Sequence, residues 1–338
     1  MTITINDIAQ RAGVTNTTVS LVLRGDARIS AKTRQRVLQI AKELHYVPNS
    51  AARQLRRAQS RTKVLGILIP DITNPFYALV AHASHVAAAQ RHYQVLIGDS
   101  QWDPARELEE IQTFIEYRVD GVLGCFCEQT TESFAELDSF GIPHLVLDVC
   151  PPGYTGACVL NDMEAAGRLA ANHLVEQGYR RLAFMTAEAP NSPLTASQAM
   201  VREFRRTLRD LGVPFTDDRV IHAGWSMQEG MHAFPALGRI PGGVDAVVCL
   251  NTLCALGVME AADHQGVRIG PELGLLGVDD LEICQLSRIG LTVIREPDTE
   301  LTKVGVDLLI SSIDAATPPT ARLMLQPNLI VRDSTRRE

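Results

Sequence analysis

The sequence predicts a small all-α head followed by a larger α/β body made of two Rossmann-like lobes. Three observations lead there. The chain has 338 residues, which at roughly 100–200 residues per domain is about two or three domains. Its charge is divided unevenly: twelve Lys/Arg face three acids up to residue 63, and twenty face thirty-six afterwards. From residue 63 onward, short apolar runs alternate with amphipathic stretches, the pattern of parallel strands joined by helices. The composition, 46% hydrophobic and 21% charged, is that of a globular chain and excludes wholesale disorder and collagen. No apolar stretch approaches the ~18 residues of a membrane span. The formal charge of −7 therefore hides a basic head on an acidic body. That split points to nucleic-acid binding at one end, or to a cationic solubilising tail.

The head has helical spacing, which a tail would lack. Ile5, Ile8, Ala9 and Ala12 fall on one face of a short helix, with Thr4 as cap and Asp7 in the capping-box position. Gly13-Val14 interrupts, Thr15 can cap again, and Val19, Val22 and Leu23 give a second apolar face. Two short helices around a glycine-containing turn make a helix-turn-helix. A third helix starts at the cap Ser30 and points Val37, Leu38, Ala41 and Leu44 inward, ending before Pro48. Any three-helix bundle would show this much. The second helix, however, opens with Asn16-Thr17-Thr18, short hydrogen-bonding residues suited to base edges and phosphates.

The segment from Pro48 to Arg57 places Asn49 as a cap and sets Arg53, Arg56 and Arg57 around Leu55. A helix this short is marginal alone in water, where about 12–15 residues are needed. It is expected either as a hinge helix that enters the minor groove and wedges Leu55 between base pairs, or as a solvated linker.

The body reads in order. Val64–Ile69, Val95–Gly98, Gly121–Gly124 and His144–Leu147 are expected as buried strands, with helices near 76–91, 105–117 and 131–140. A second series follows: Leu182–Met185, Ala246–Leu250 and Leu273–Leu276, with helices near 163–177, 196–211 and 252–265. So many strands exceed one sheet, hence two lobes. In such sheets ligands bind beyond the carboxyl ends of the strands. Asp71, Asn74, Phe76 and Asp148 stand there in the first series; Asn161, Asn251 and Asp279 do so around the second. Trp225, one of two tryptophans, offers an aromatic plane to the C–H face of a sugar. Any one of these acids taken singly could be a helix cap.

The head motifs Ile8–Ser20, Ile29–Arg34 and Tyr46–Asn49, with Pro70–Phe76 and Gly277–Asp280 further on, resemble the LacI/GalR family of bacterial transcriptional regulators. The resemblance runs along almost the whole chain. It implies a helix-turn-helix domain at 1–47, a hinge helix and linker at 48–62, and a periplasmic-binding-protein-like effector domain at 63–338. Lobe one would comprise 63–160 and 291–321, lobe two 161–290 and 322–332. It further implies a homodimer on a near-palindromic double-stranded operator, with Asn16 and Thr17 facing bases. Thr4, Thr15, Ser20, Ser30, Thr33 and Asn49 would anchor phosphates, and Leu55 would kink the centre. The effector set would be Asp71, Asn74, Phe76, Asp148, Asn161, Met200, Trp225, Asn251, Asp279 and Glu296. The expected function is repression controlled by a sugar or sugar derivative; an activator, or a regulator answering a non-sugar metabolite or a protein, shares these features. A transport sugar-binding protein would carry an export signal and no basic head, the opposite of this chain.

Three departures qualify the resemblance. Leu21 stands where relatives often have an arginine that reads guanine, so the half-site should differ at that base pair. Met200 stands where an effector-contacting arginine is usual, with Arg202 two residues away. Thr252 follows Asn251 where relatives often have Asp. The wording of Thr18–Leu23 and Ser192–Thr195 is similar to the maltose-regulon repressor subgroup.

Enzyme readings find little. No GxGxxG follows the first strand, and Walker A, GxSxG and HExxH are absent. No cofactor and no metal are expected; His82 and His85 lack a third ligand. Seven cysteines, none in a CxxC pair, read as reduced buried thiols of a cytoplasmic protein. No signal peptide is expected from the start Met1–Asp7. The absence of leucine heptads after Ile330 favours a dimer over a coiled-coil tetramer.

Overall fold

The computed structural model describes residues 3–23, 25–44, 46, 61–127, 131–187, 195–286, 288 and 290–337. They fall into two compact units, Met1–Arg61 and Thr62–Glu338.

The first unit contains α1 (Ile5–Ala12), α2 (Asn16–Leu23) and α3 (Ala31–Glu43). Thr4 starts α1 as expected: its hydroxyl accepts from the Asp7 amide, and the Asp7 carboxylate accepts from the Thr4 amide at 2.7 Å. Gly13 ends the helix at φ +62°, returning its N–H to the carbonyls of Ala9 and Gln10. The left-handed turn there favours a residue with no Cβ. The Thr15 hydroxyl accepts from the Thr18 amide at 3.2 Å, and that of Ser30 accepts from the Thr33 amide at 3.3 Å. Ile8, Ala9, Ala12, Val19, Val22, Val37 and Ala41 form the core. Leu38 was expected inside but is 47% exposed. Val37 and Ala41, four apart, define the inward face, and Leu38 lies about 100° round from it. The expected hinge helix, with Asn49, Arg53, Leu55 and Arg56, lies outside the described residues.

The second unit is built on two six-stranded sheets among the described residues. The first lobe contributes β1 (Val64–Ile69), α4 (Pro75–Gln90), β2 (Gln94–Asp99), α5 (Pro104–Glu116), β3 (Gly121–Gly124), α6 (Glu132–Ser139), β4 (His144–Asp148) and β5 (Cys158–Asn161). The second contributes α7 (Met163–Glu176), β6 (Leu182–Thr186), α8 (Thr195–Asp210), β7 (Val220–His222), α9 (Met227–Ala233), β8 (Ala246–Cys249), α10 (Thr252–His264), β9 (Gly274–Val278) and β10 (Thr292–Arg295). The chain then returns through α11 (Asp298–Ala315) and β11 (Arg322–Leu325) to the first sheet, and ends with β12 (Asn328–Ile330) on the second. Every pair is parallel except β10–β12. Strands such as β3, β6, β8 and β9 are buried along their whole length, because helices cover both faces.

The lobe boundaries differ from those the resemblance implied. Thr292 pairs with Leu276 of β9, so β10 belongs to lobe two; Arg322 pairs with Cys158 of β5, so β11 belongs to lobe one. The crossings therefore lie near Asp162, at Glu296-Pro297 and at Gln326-Pro327. Proline has no ladder N–H to donate, which suits it to the ends of strands. All seven cysteines are free, and all but Cys150 are buried. No helix among the described residues is long and apolar enough to cross a membrane.

Candidate functional site

In the head, Asn16 and Thr17 are exposed at the start of α2, while Thr18, Ser20 and Leu21 are half-buried. The Asn16 amide reaches the Asn6 side chain at 3.4 Å. Val19 and Val22 anchor the opposite side of α2 in the core. The helix thus presents its polar start outward from a fixed base. Thr4, Thr15 and Ser30 all stand at helix starts, where backbone N–H groups can meet phosphate. The Thr33 hydroxyl is held by that of Ser30 at 2.9 Å.

In the body, the carboxyl ends of both sheets converge on a half-open cavity of about 80 Å³, room for several water-sized groups. Of the expected effector residues, Asn74, Phe76, Asp148, Trp225, Asn251, Asp279 and Glu296 line it. Asn74 and Asn251 are also helix caps, accepting from the amides of Phe76 and Cys254. Three expected residues do not line it. Asp71 accepts from the amide and hydroxyl of Thr73, closing the β1–α4 turn. Met200 is fully buried in the core of lobe two with Phe204 and Ala170; α8 turns its aliphatic face there, and Ser197 lines the cavity instead. Asn161 stands behind the lining, donating to Asp148 at 3.0 Å and Glu296 at 2.8 Å. It thereby ties the first crossing to the second.

The sequence reading missed Trp102 and Tyr77. Trp102 stacks on Trp225 with ring centroids 5.2 Å apart and planes 14° from parallel, bridging the lobes. Tyr77 meets Trp102 edge-on at 5.8 Å. The strand-end rule that pointed to Asp148 and Asp279 applies equally to Trp102, which follows β2. Thr252 has a structural role: its hydroxyl donates to the carbonyls of Val278 and Asp279, which an ionised Asp could not do.

The site is acidic. Burial raises the Asp148 carboxyl to about 6, against the Asn161 hydrogen bond that lowers it. Burial and then Asp148 raise Asp279 to about 7. Glu296 is pushed well up by burial and by Asp148. Asp298, at the start of α11, is raised to about 9 by burial, then by Asp279 and Asp148. Enclosed carboxyls this close cannot all ionise without a neutralising partner. The titration belongs to the set rather than to single residues.

Comparison with known proteins agrees with both halves. Residues 4–49 match the family described as bacterial regulatory proteins, lacI family, and residues 171–335 match a periplasmic binding protein-like domain. The chain is 27% identical to the ribose operon repressor of Haemophilus influenzae, covering 98% of each chain. It is 28% identical to the HTH-type transcriptional regulator DegA of Bacillus subtilis, covering 99% of this chain and 98% of that one. The structure of the lac repressor dimer bound to operator and the anti-inducer ONPF superposes with a TM-score of 0.86 at 23% identity, over 99% of both chains. That last likeness shows the fold alone. The chain thus joins a lacI-family DNA-binding domain to a two-lobed periplasmic-binding-protein-like body, and the relatives it resembles over its whole length are repressors and transcriptional regulators.

Proposed function

We propose that the protein is a repressor which binds a near-palindromic operator as a homodimer and releases or tightens its grip when a small polar effector, a sugar or sugar derivative, enters the interlobe cavity. The observation that carries this reading is the cavity itself, lined from both lobes and backed by the crossing segments. A molecule that prefers one lobe orientation shifts that equilibrium, and only that preference transmits anything to the DNA. Couplings of this kind are about 1–3 kcal/mol, or roughly 5–150-fold in affinity.

On this reading Asn16 and Thr17 face bases, and the hydroxyls at the helix starts hold phosphates. Domain limits of 1–47, 48–62 and 63–338 describe head, connector and effector body. Self-association is supported by Leu79 and Val86, one heptad apart on α4 and 47% and 42% exposed, and by the operator-bound dimer of the lac repressor. The relatives are named as repressors or transcriptional regulators, which supports a binding protein rather than an enzyme. The seven free thiols suit the cytoplasm.

Selection of bound duplexes from a random pool tests the DNA half. The expected product is a two-fold symmetric site lacking the guanine that an arginine at position 21 would read. Leu21→Arg should select a different base there, discriminating by about 1–3 kcal/mol. An unchanged site would remove Leu21 from the interface. Transcription measured with and without the gene separates repression from activation.

A further inference from the structure

We infer that the effector is a cation: a hydroxylated amine, of the amino-sugar or imino-sugar class, whose ammonium group sits among Asp148, Asp279 and Glu296 while its ring lies against Trp225 and Trp102. This rests on the cavity being the effector site.

The lining holds three carboxyls and no Lys, Arg or His among the described residues. The sequences of 128–130 and 188–194, which follow β3 and β6, add none. Met200, in the place of the arginine that the family resemblance expects, is core. The acids therefore have no counter-charge in the lining, so they hold protons when alone and ionise at lowest cost against a bound cation.

Asn161 orients two of the acids by spending its N–H groups on Asp148 and Glu296. An ammonium needs such acceptors and supplies up to three N–H donors. A neutral sugar hydroxyl could donate to the same oxygens but would cancel no charge.

Two further features fit. Asn251 is 5% exposed, its carbonyl caps α10, and its amide nitrogen has no partner. One buried donor is thus left for a hydroxyl or ring oxygen. The tryptophan and tyrosine faces attract cations as well as sugar C–H groups.

The test uses full-length protein and matched pairs that differ only in the charged nitrogen: glucosamine against glucose, galactosamine against galactose, deoxynojirimycin against anhydroglucitol. Calorimetry and thermal shift should find at least one amine bound about tenfold or more tightly than its neutral partner. Glu296→Gln and Asp279→Asn should each erase most of that preference while cooperative thermal unfolding is retained. If a neutral member binds as tightly as its amine, the pocket stands and the charge assignment falls. If no member of any pair binds at millimolar concentration while operator DNA is still bound, both the assignment and the pocket reading fall.

Discussion

The two lobes wind six strands in the same order, β2-β1-β3-β4-β5-β11 in the first and β7-β6-β8-β9-β10-β12 in the second. Equivalent places carry equivalent devices. Asp148 ends the fourth strand of one sheet at φ +70°, and Asp279 follows its counterpart at φ +74°. Trp102 follows β2 and Trp225 follows β7, and the two rings stack. The differences are local. Asp148 accepts from Asn161 and is raised by burial to about 6, whereas Asp279 is raised by burial and then by Asp148 to about 7. The helices differ too: α9 and α10 of lobe two meet through Gly257, whose Cβ would lie 1.9 Å from the Met227 carbonyl oxygen. In lobe one Gly305 of α11 faces the end of the Leu147 side chain at 2.6 Å.

The largest break in this symmetry should come from those glycines. Gly257→Ala must displace backbone and is expected to cost at least about 3 kcal/mol, while Gly305→Ala meets a movable methyl and costs about 1 kcal/mol. Denaturation midpoints of the two variants check it; equal losses would show that the lobes tolerate crowding alike.

Next in size is an inverted pH profile. Asp148, Asp279 and Asp298 are raised to about 6, 7 and 9, so the folded protein binds more protons than the unfolded chain above the ordinary carboxylate range. Stability contributed by these groups is complete below about pH 4 and is lost as pH rises through 6, 7 and 9. The Tm of the protein alone should fall between pH 6 and 9. Asp279→Asn should flatten that fall more than Asp148→Asn; a Tm that rises over this range would refute the acid cluster.

The smallest effect is the stack. A double-mutant cycle on Trp102→Ala and Trp225→Ala should give a coupling of about 1 kcal/mol. Strict additivity would mean that the rings do not hold the lobes together.

Much was legible in the sequence where the signal is local. Helical spacing fixed the three head helices, Thr4, Thr15 and Ser30 act as caps, and apolar runs found most of the central strands. β5, β7, β10, β11 and β12 were missed; β7, β11 and β12 are short edge strands whose residues are part-exposed, unlike the equally short but fully buried β3 and β8. The position rule at strand ends recovered Asn74, Phe76, Asp148, Asn251 and Asp279, Trp225 was chosen for its aromatic plane and Glu296 came only with the resemblance; the rule also drew in Asp71, which serves a turn.

What the residues alone determined is therefore each segment's own preference: basic helical head, alternating α/β body, acids and aromatics at strand ends. Which lobe receives β10 and β11, whether Met200 faces core or cavity, and which carboxyls share one enclosure were decided only in three dimensions. Those outcomes depend on hydrogen-bond register between strands distant in sequence and on the desolvation that packing imposes, neither of which is a property of a single stretch of chain.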